Sequence, residues 1–362
     1  MKIEKLQKGD MVAIVSLSSG ILGEKFIEHE LELGVKRIRE LGLVPIFMKN
    51  SLKGLDFIKN NPDKRFEDLK NAFLSDEIKM IITAIGGDDS YRLLPYIFGD
   101  EEFKDIVKNN PKIFIGYSDT TTTHLALNKL GLNTFYGPAF ITDFAEFEND
   151  MLPYTKKCLN YLFDAPEFYE IKPSEFWYDE RTDFSPSAVG TNRIKHEEKK
   201  GFEFIKGSGI AEGKLYGGCI EVLYKLTQDK AEKITEDHQQ VAQITEKFPI
   251  VLTNEELSDK VLFIETSDGK PTKEDYTKMI KHLKKIGMFN NIKGLIVGKP
   301  MDETYYDEYI SVLLGELSEY NFPIVTNMNF GHSFPRMVLP IGAEIKINCD
   351  LKTINLKSST LI

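Results

Sequence analysis

Short apolar runs alternate with helically spaced apolar residues along the first 136 positions of the chain. Continuous apolar runs are typical of strands that are buried on both faces. Apolar residues three or four apart, as at Ile27, Leu31, Val35 and Ile38, indicate an amphipathic helix. The predicted strands are 11–16, 43–48, 79–85, 113–116 and 133–136, and the predicted helices are 27–41, 66–73, 91–97 and 120–130. This alternation predicts a mostly parallel sheet that helices cover on both faces.

The second half repeats the alternation after a long polar and aperiodic stretch, 165–208, which we interpret as a crossover between domains. A second polar stretch covers 228–247. The predicted helices are 217–226, 273–286 and 305–317, and the predicted strands are 261–264, 292–297, 323–326, 344–347 and 353–356. We therefore expect an α/β protein with an N-terminal doubly wound parallel-sheet domain (1–165), an inter-domain crossover loop (166–208) and a smaller C-terminal α/β domain (209–362).

The net charge, the cysteine count and the length of the apolar stretches each argue against particular classes of protein. The 362 residues carry a net charge of −10, which argues against a nucleic-acid partner because no basic excess is present to neutralise phosphates. The three cysteines are far apart and odd in number, so they predict neither a disulfide framework nor a zinc site. The apolar stretch near residue 11 is too short to span a membrane. We expect a cytoplasmic protein without a membrane partner.

A serine on the corner between a strand and a helix is the first candidate for chemistry. Ser118 lies in the stretch IGYSDTTTTHLAL, directly after the strand 113–116. A tight strand–turn–helix corner lifts a nucleophilic hydroxyl clear of the sheet, and Gly116 relieves crowding there. The match to the nucleophile-elbow motif is incomplete, because Thr120 replaces its second glycine. An ordinary helix N-cap is an equal alternative.

A nucleophilic serine needs a base, and a base needs a partner. Among the six histidines, His332 follows a glycine in a loop beyond a strand, although a structural loop histidine is the alternative. Glu265 ends the apolar run VLFIE, where a carboxylate is costly to bury without a partner, although it could instead cap the next helix. Cys219 is a rival nucleophile at a predicted helix start, which we interpret as packing in the cleft wall.

The loop GGDDS follows the third predicted strand. Its backbone amides are uncluttered by side chains, as an oxyanion hole requires. Asp88 and Asp89 are also candidates for a metal pair, but adjacent turn residues rarely converge on one ion and no third oxygen ligand is evident. We expect neither a metal nor another cofactor.

Five motifs, in order, resemble those of the LD-carboxypeptidase family of serine peptidases, and most closely the branch that includes the microcin C immunity proteins. They are AIGGDDSYRLLPYI, IGYSDTTTTHLAL, LYGGCIEVL, LFIETSD and GHSFPRMVLPIG. The resemblance implies an N-terminal α/β domain and a C-terminal swivelling-type domain, with the active site between them and a homodimer as the expected assembly.

The resemblance also implies a catalytic triad and an oxyanion hole. The triad would consist of Ser118, His332 and Glu265, and the oxyanion-hole amides would be those of Gly87 and Asp119. The expected activity is cleavage of an amide bond, either in a murein tetrapeptide or in an aminoacyl-nucleotide toxin. The alternative is a small-molecule binding protein with an inactive triad.

Three further residues are expected to contact the substrate. Asp88 and Ser90 belong to the GGDDS loop, and Trp177 is the single tryptophan, within the crossover loop. A tryptophan in a polar loop is well suited to stacking on a flat ligand. In the microcin-immunity branch an aromatic residue of this loop stacks on the nucleotide base. The alternative for Trp177 is a structural staple.

Overall fold

Two β-sheets organise the chain in this computed structural model, which describes residues 1–228, 236–357 and 360–362. The helices of these ranges are α1 (Glu28–Glu40), α2 (Leu55–Asn60), α3 (Pro62–Leu74), α4 (Leu94–Gly99), α5 (Glu101–Asn109), α6 (Thr121–Lys129), α7 (Pro153–Leu159), α8 (Tyr161–Asp164), α9 (Ile220–Thr227), α10 (Glu236–Lys247), α11 (Lys273–Lys285) and α12 (Tyr306–Glu316). The strands are β1 (Met11–Val15), β2 (Val44–Phe47), β3 (Ile78–Thr83), β4 (Ile113–Gly116), β5 (Phe135–Tyr136), β6 (Tyr169–Ile171), β7 (Phe176–Tyr178), β8 (Lys195–Glu197), β9 (Glu203–Lys206), β10 (Ile210–Cys219), β11 (Lys260–Glu265), β12 (Gly294–Gly298), β13 (Ile324–Met328), β14 (Leu339–Pro340), β15 (Glu344–Asn348) and β16 (Thr353–Leu356).

The first sheet has the order β14-β5-β4-β3-β1-β2. Strands β1 to β5 are parallel, as the alternation of strands and helices predicts. All four residues of β4 are buried, which fits a strand without a polar face. The edge strand β14 comes from the C-terminal half and pairs antiparallel with β5. The second half of the chain therefore contributes directly to the first sheet.

The second sheet has the order β6-β16-β15-β10-β11-β12-β13-β9. Its centre, β10 to β13, is parallel, and its outer strands pair antiparallel. The predicted α/β class, with a parallel-sheet N-terminal region and a second sheet region, is confirmed. The predicted helix over 217–226 starts too early, because Gly217 and Gly218 belong to β10 and α9 begins at Ile220.

Neighbouring segments approach Gly217 and Gly218 too closely for a side chain at either position. A Cβ at Gly217 would lie 1.8 Å from the carbonyl oxygen of Phe263 on β11. A Cβ at Gly218 would lie 2.3 Å from Cγ2 of Thr121 at the start of α6. Glycine at 217 therefore permits β10 to pair with β11, and glycine at 218 permits the second sheet to pack against the helix that follows the Ser118 corner.

The polar stretches contain more regular structure than their sequences predict. Within the segment 166–208, β6 and β9 form the two outer edges of the second sheet, and β7 pairs with β8. Edge strands of three or four residues carry too little periodicity to stand out from a polar sequence. Part of the polar stretch 228–247 folds as α10, and its residues 229–235 lie outside the described ranges.

The carboxyl ends of β4, β11 and β13 face one region between the two sheets. Ser118 follows β4, Glu265 ends β11, and His332 lies in the loop after β13. The largest cluster of buried apolar side chains among the described residues contains strands of both halves, so these strand ends have a common packed support. Within the described ranges, no helix is both long and apolar enough to cross a membrane.

Candidate active site

Ser118 lies on a strained corner. Its φ of 65° is in the left-handed region, which a residue with a side chain adopts at a cost in free energy. Gly116 is needed two residues earlier, because a Cβ there would lie 2.1 Å from Oγ1 of Thr83. The Ser118 hydroxyl bonds to the ring of His332 and not to a helix amide. The N-cap interpretation is therefore wrong.

A buried histidine supports this corner from behind. His124 Nε2 lies 2.9 Å from the carbonyl oxygen of Gly116, and its Nδ1 lies 2.8 Å from Oγ1 of Thr134. Burial lowers the pKa of His124 to about 4, so the ring is neutral at pH 7. Its Nε2–H then donates to Gly116, and its Nδ1 accepts from Thr134. His124 fixes the end of β4 and does not reach the serine hydroxyl.

The structure brings Ser118, His332 and Glu265 into one chain of hydrogen bonds. The Ser118 hydroxyl lies 3.0 Å from His332 Nε2, and His332 Nδ1 lies 2.8 Å from Glu265 Oε2. Glu265 and His332 are buried, whereas Ser118 is partly open to the cavity. An Nδ1–H that donates to the carboxylate leaves Nε2 free to accept from the serine. This is the tautomer that a base requires.

Electrostatics also favours this arrangement. Burial alone would lower the pKa of His332, but the Glu265 carboxylate and its hydrogen bond outweigh burial. The pKa of His332 therefore lies above its ordinary value, so the ring binds a proton more readily than a free histidine does. Glu265 is in a position to stabilise a positive charge on the His332 ring.

Tyr136 links Ser118 and the Glu265 carboxylate directly. Its hydroxyl donates to Glu265 Oε1 over 2.5 Å and accepts from the Ser118 backbone N–H over 3.1 Å. Burial and the neighbouring carboxylate hold the pKa of Tyr136 well above its usual range, so the phenol keeps its proton. Tyr136 was not among the site residues predicted from the sequence. Its position at the carboxyl end of β5, beside β4, is the signal that could have done so.

The loop of His332 is held by an ion pair across the two halves. Arg336 is fully buried; its guanidinium donates to Asp143 Oδ1 over 2.9 Å and to the carbonyl oxygens of Gly331 and His332. The same group lies 4.3 Å above the ring of Tyr117, which packs edge-on against His332. These contacts fix both the backbone and one face of the imidazole.

The glycine loop after β3 lies against Ser118. A Cβ at Gly86 would lie 2.7 Å from Ser118 Oγ and 3.4 Å from the Asp119 amide nitrogen. Gly87 is exposed at the cavity wall with a φ of 148°, and a Cβ there would meet Ser18 Oγ at 2.3 Å. The two amides that the resemblance assigns to an oxyanion hole thus belong to backbone segments that border Ser118.

The Asp119 side chain ties this region together. Its Oδ2 accepts from Ser18 Oγ and from the Ser90 amide, both over 2.8 Å. Lys225 on α9 lies 3.2 Å from Asp119 Oδ1 and also donates to the carbonyl oxygen of Asp88. Burial opposes ionisation, but these partners outweigh it and lower the pKa of Asp119. Lys225 was missed because nothing near it in sequence indicates this contact.

One expectation for the GGDDS loop needs correction. Ser90 does not line the cavity: it is buried, and its hydroxyl donates to the carbonyl oxygen of Asp119 over 2.7 Å. It supports the corner and is not available to a substrate. Asp88 does line the cavity, whereas Asp89 pairs with Arg65 and Arg92. Among the described residues, no group of three or more histidine, cysteine, aspartate or glutamate side chains forms a metal site.

A cavity of about 570 Å³ opens in front of Ser118 and His332. One wall is aromatic, with Phe147 and an exposed Phe184 in edge-on contact. Its other lining residues include Ser19, Ile21, Phe26, Glu30, Asp88, Thr142, Arg181, Arg193, Asp268, Met301 and Phe334. The space and its mixed apolar and polar walls suit a small organic ligand.

Trp177 is not part of this cavity. Its ring stacks on His196, with centroids 4.0 Å apart, and Lys299 lies 5.0 Å from it. It lines a different, charged pocket that shares no lining residue with the Ser118 cavity. The prediction that Trp177 contacts a ligand at Ser118 therefore needs correction. Phe184, seven residues later on the same segment, takes the position at the cavity wall.

Cys219 is unsuited to nucleophilic chemistry. Burial, with the carboxylates of Glu221 and Glu265, raises the pKa of its thiol well above the usual value. Its sulfur lies 3.2 Å from Glu221 Oε2, where the protonated thiol donates. The packing role expected from the sequence agrees with this environment.

Comparisons with known proteins bear on the same regions. Residues 12–137 match the sequence profile described as LD-carboxypeptidase N-terminal domain, and residues 212–347 match the profile described as LD-carboxypeptidase C-terminal domain. The two matched regions contain Ser118, Glu265 and His332.

Individual relatives carry two kinds of name. A protein named probable murein peptide carboxypeptidase, from Bacillus subtilis, is 27% identical, with 97% of this chain and 93% of that protein covered. The microcin C7 self-immunity protein MccF of Escherichia coli is also 27% identical, over 84% of this chain and 82% of that protein. A crystal structure of an MccF-like protein from Streptococcus pneumoniae in complex with AMP superimposes with a TM-score of 0.90. It is 45% identical and covers 96% of this chain and 98% of that one.

Proposed function

Because the chain belongs to the LD-carboxypeptidase family, we propose that it is a serine hydrolase that cleaves an amide bond with Ser118 as nucleophile, His332 as base and Glu265 as the partner of that base. The observation that carries this proposal is the unbroken chain of hydrogen bonds from Ser118 Oγ through both ring nitrogens of His332 to Glu265. Competent residue types at all three positions argue against a binding protein with an inactive triad.

The proposed reaction has an acylation step and a deacylation step, and the geometry of the site supports both. Ser118 Oγ attacks the scissile carbonyl while its proton passes to His332 Nε2, and Glu265 stabilises the resulting imidazolium. The amides of Gly87 and Asp119 donate to the oxyanion of the tetrahedral intermediate. His332 returns the proton to the leaving nitrogen, and an acyl-enzyme on Ser118 remains. A water molecule, deprotonated by His332, then hydrolyses this ester and regenerates the hydroxyl.

Substitution of the three residues tests this proposal. Ser118→Ala and His332→Ala should each lower kcat by up to about a million-fold, because triad residues act as a unit. Glu265→Gln should cost less, since Glu265 orients the base and forms no bond to the substrate. A fluorophosphonate probe should label the wild type on Ser118, and iodoacetamide should leave activity intact. Failure of the probe to react, with His332 intact, would favour the binding-protein alternative.

We favour an aminoacyl nucleotide over a murein peptide as the substrate. The 45% identical MccF-like protein was crystallised with AMP, and the cavity in front of Ser118 has an aromatic wall. A half-exposed Phe184 at that wall is suited to stacking on a nucleobase. Arg181, which also lines the cavity, adds a cation beside Phe147, 5.2 Å from its ring.

Two substrates and two aromatic variants separate the alternatives. The protein is incubated with a murein tetrapeptide and with an aminoacyl sulfamoyl adenosine, and mass spectrometry identifies the cleaved one. Phe184→Ala should weaken processing of the nucleotide by about 1–3 kcal/mol, the value of one base–aromatic stack. Trp177→Ala is the matched control and should leave it unchanged. Cleavage of the peptide alone would refute the nucleotide assignment.

The assembly and location remain predictions. A homodimer is expected from the resemblance, and light scattering on the purified protein measures it. Cytoplasmic localisation is likewise expected, and cell fractionation tests it.

A further inference from the structure

Glu30 on α1 is a buried carboxyl group without a partner. Its side chain lines the Ser118 cavity and is 4% exposed. Within the part of the chain that the structure describes, it takes part in no hydrogen bond or ion pair. Burial raises its pKa to about 7. A carboxyl group in this position costs stability unless something satisfies it.

A second buried carboxylate of the same cavity, Glu146, is stabilised by ion pairs, as buried carboxylates usually are. Glu146 is equally buried, but Arg181 contacts its Oε1 over 3.1 Å and Arg193 contacts its Oε2 over 2.7 Å. Burial opposes ionisation of Glu146, and the two arginines outweigh burial and lower its pKa. The protein thus neutralises one buried carboxylate internally and leaves the other facing the cavity.

The surroundings of Glu30 are apolar and aromatic. Leu33, one turn further along the same face of α1, packs with Phe147. His29 contacts the ring of Phe147 and the carbonyl oxygen of Phe184. This part of α1 therefore borders the aromatic wall of the cavity. A flat heterocycle against that wall would bring its edge within the region that Glu30 faces.

We propose that Glu30 is a specificity-determining residue whose carboxyl accepts a hydrogen bond from an amino group on a flat heterocycle bound in the Ser118 cavity. The proposal rests on the proposed function and deepens it, because it assigns the recognised group of the ligand. An amino-substituted purine such as adenine satisfies the buried carboxyl, while the aromatic wall covers the ring face. A base without an amino group would leave Glu30 unpaired, which is the usual basis of strong rejection.

Calorimetry with two nucleotides tests the proposal on the full chain. The probes are AMP and the purine ribonucleoside monophosphate that lacks only the 6-amino group. The wild type should bind AMP about 10- to 100-fold more tightly, the usual range for one hydrogen bond to a charged group. Glu30→Leu should reduce this preference to nearly one-fold. Glu30→Gln, which keeps an oxygen acceptor in place, should retain most of it.

The outcomes separate this proposal from the one it rests on. If Glu30→Leu still prefers AMP, or if the wild type has no preference, the proposed role of Glu30 is refuted. The proposed hydrolase activity is not affected by either result. Absence of binding of either nucleotide to the wild type overturns the nucleotide substrate and this inference with it. A thermal unfolding temperature of Glu30→Leu at or above the wild-type value verifies folding, since the variant removes an unpaired buried carboxyl.

Discussion

Removal of one hydroxyl group, by Tyr136→Phe, tests whether the triad depends on a support outside it. The hydroxyl satisfies Glu265 Oε1 and the Ser118 amide at once, over 2.5 and 3.1 Å. A hydrogen bond to a charged group contributes about 1.5–3 kcal/mol, and a buried amide left without an acceptor costs about 1–3 kcal/mol. We therefore expect the free energy of unfolding to fall by about 2.5–6 kcal/mol if the two contributions add.

The same change should slow catalysis. Loss of this contact loosens both the carboxylate that contacts His332 and the backbone of Ser118, the proposed nucleophile. If the whole contribution of the Tyr136–Glu265 hydrogen bond stabilises the transition state, its loss lowers kcat/KM by about 10- to 100-fold, at 1.36 kcal/mol per factor of ten. Steady-state turnover of the preferred substrate and urea unfolding are the two measurements.

Tyr161→Phe is the matched control for this experiment. Its hydroxyl is also buried, but it has no hydrogen-bond partner among the described residues. Removal of such a group should leave stability and turnover unchanged, or raise stability slightly. If Tyr136→Phe behaves like Tyr161→Phe in both assays, the reasoning about Tyr136 is refuted.

Three further predictions concern His332 and its surroundings. Gly331→Ala should abolish turnover, because the new Cβ would lie 2.4 Å from Glu265 Oε2. Gly9→Ala is the control, since Gly9 also has a positive φ but a Cβ there would have no atom within 4 Å, and this variant should retain turnover. Equal activity of the two variants would contradict the predicted clash between residue 331 and Glu265. The acid limb of the pH profile of kcat/KM should have its midpoint above 6.5, since the base must be neutral and its pKa is raised, and Glu265→Gln should lower that midpoint. The protonated His332 pair stabilises the fold below about pH 6.5, and this stabilisation is lost as pH rises through the folded pKa.

The positions of the candidate triad were accessible to sequence reasoning because each has a local signal. Ser118 follows a buried strand and precedes a helix, Glu265 ends an apolar run, and His332 lies in a glycine-containing loop. All three mark the carboxyl ends of strands, where parallel α/β sheets collect their ligands. The resemblance to a family then assigned each residue a role.

The supporting contacts had no such signal. Tyr136 and Glu265 are 129 residues apart, Asp119 and Lys225 are 106 apart, and Asp143 and Arg336 are 193 apart. No local pattern relates residues at these separations. Sequence reasoning also misplaced two residues: Ser90 is turned toward Asp119, and Trp177 lies in another pocket.

Local periodicity by itself determined the α/β class and most of its strands and helices, because buried strands and amphipathic helices each leave a pattern within a few residues. Only the tertiary structure decided that β14 crosses into the first sheet, that short polar strands complete the second, and which wall of the cavity is aromatic. These features depend on packing between distant segments. Glu30 is a further example: its sequence context predicts an ordinary glutamate on a helix, and only the packing of distant segments buries it beside the cavity.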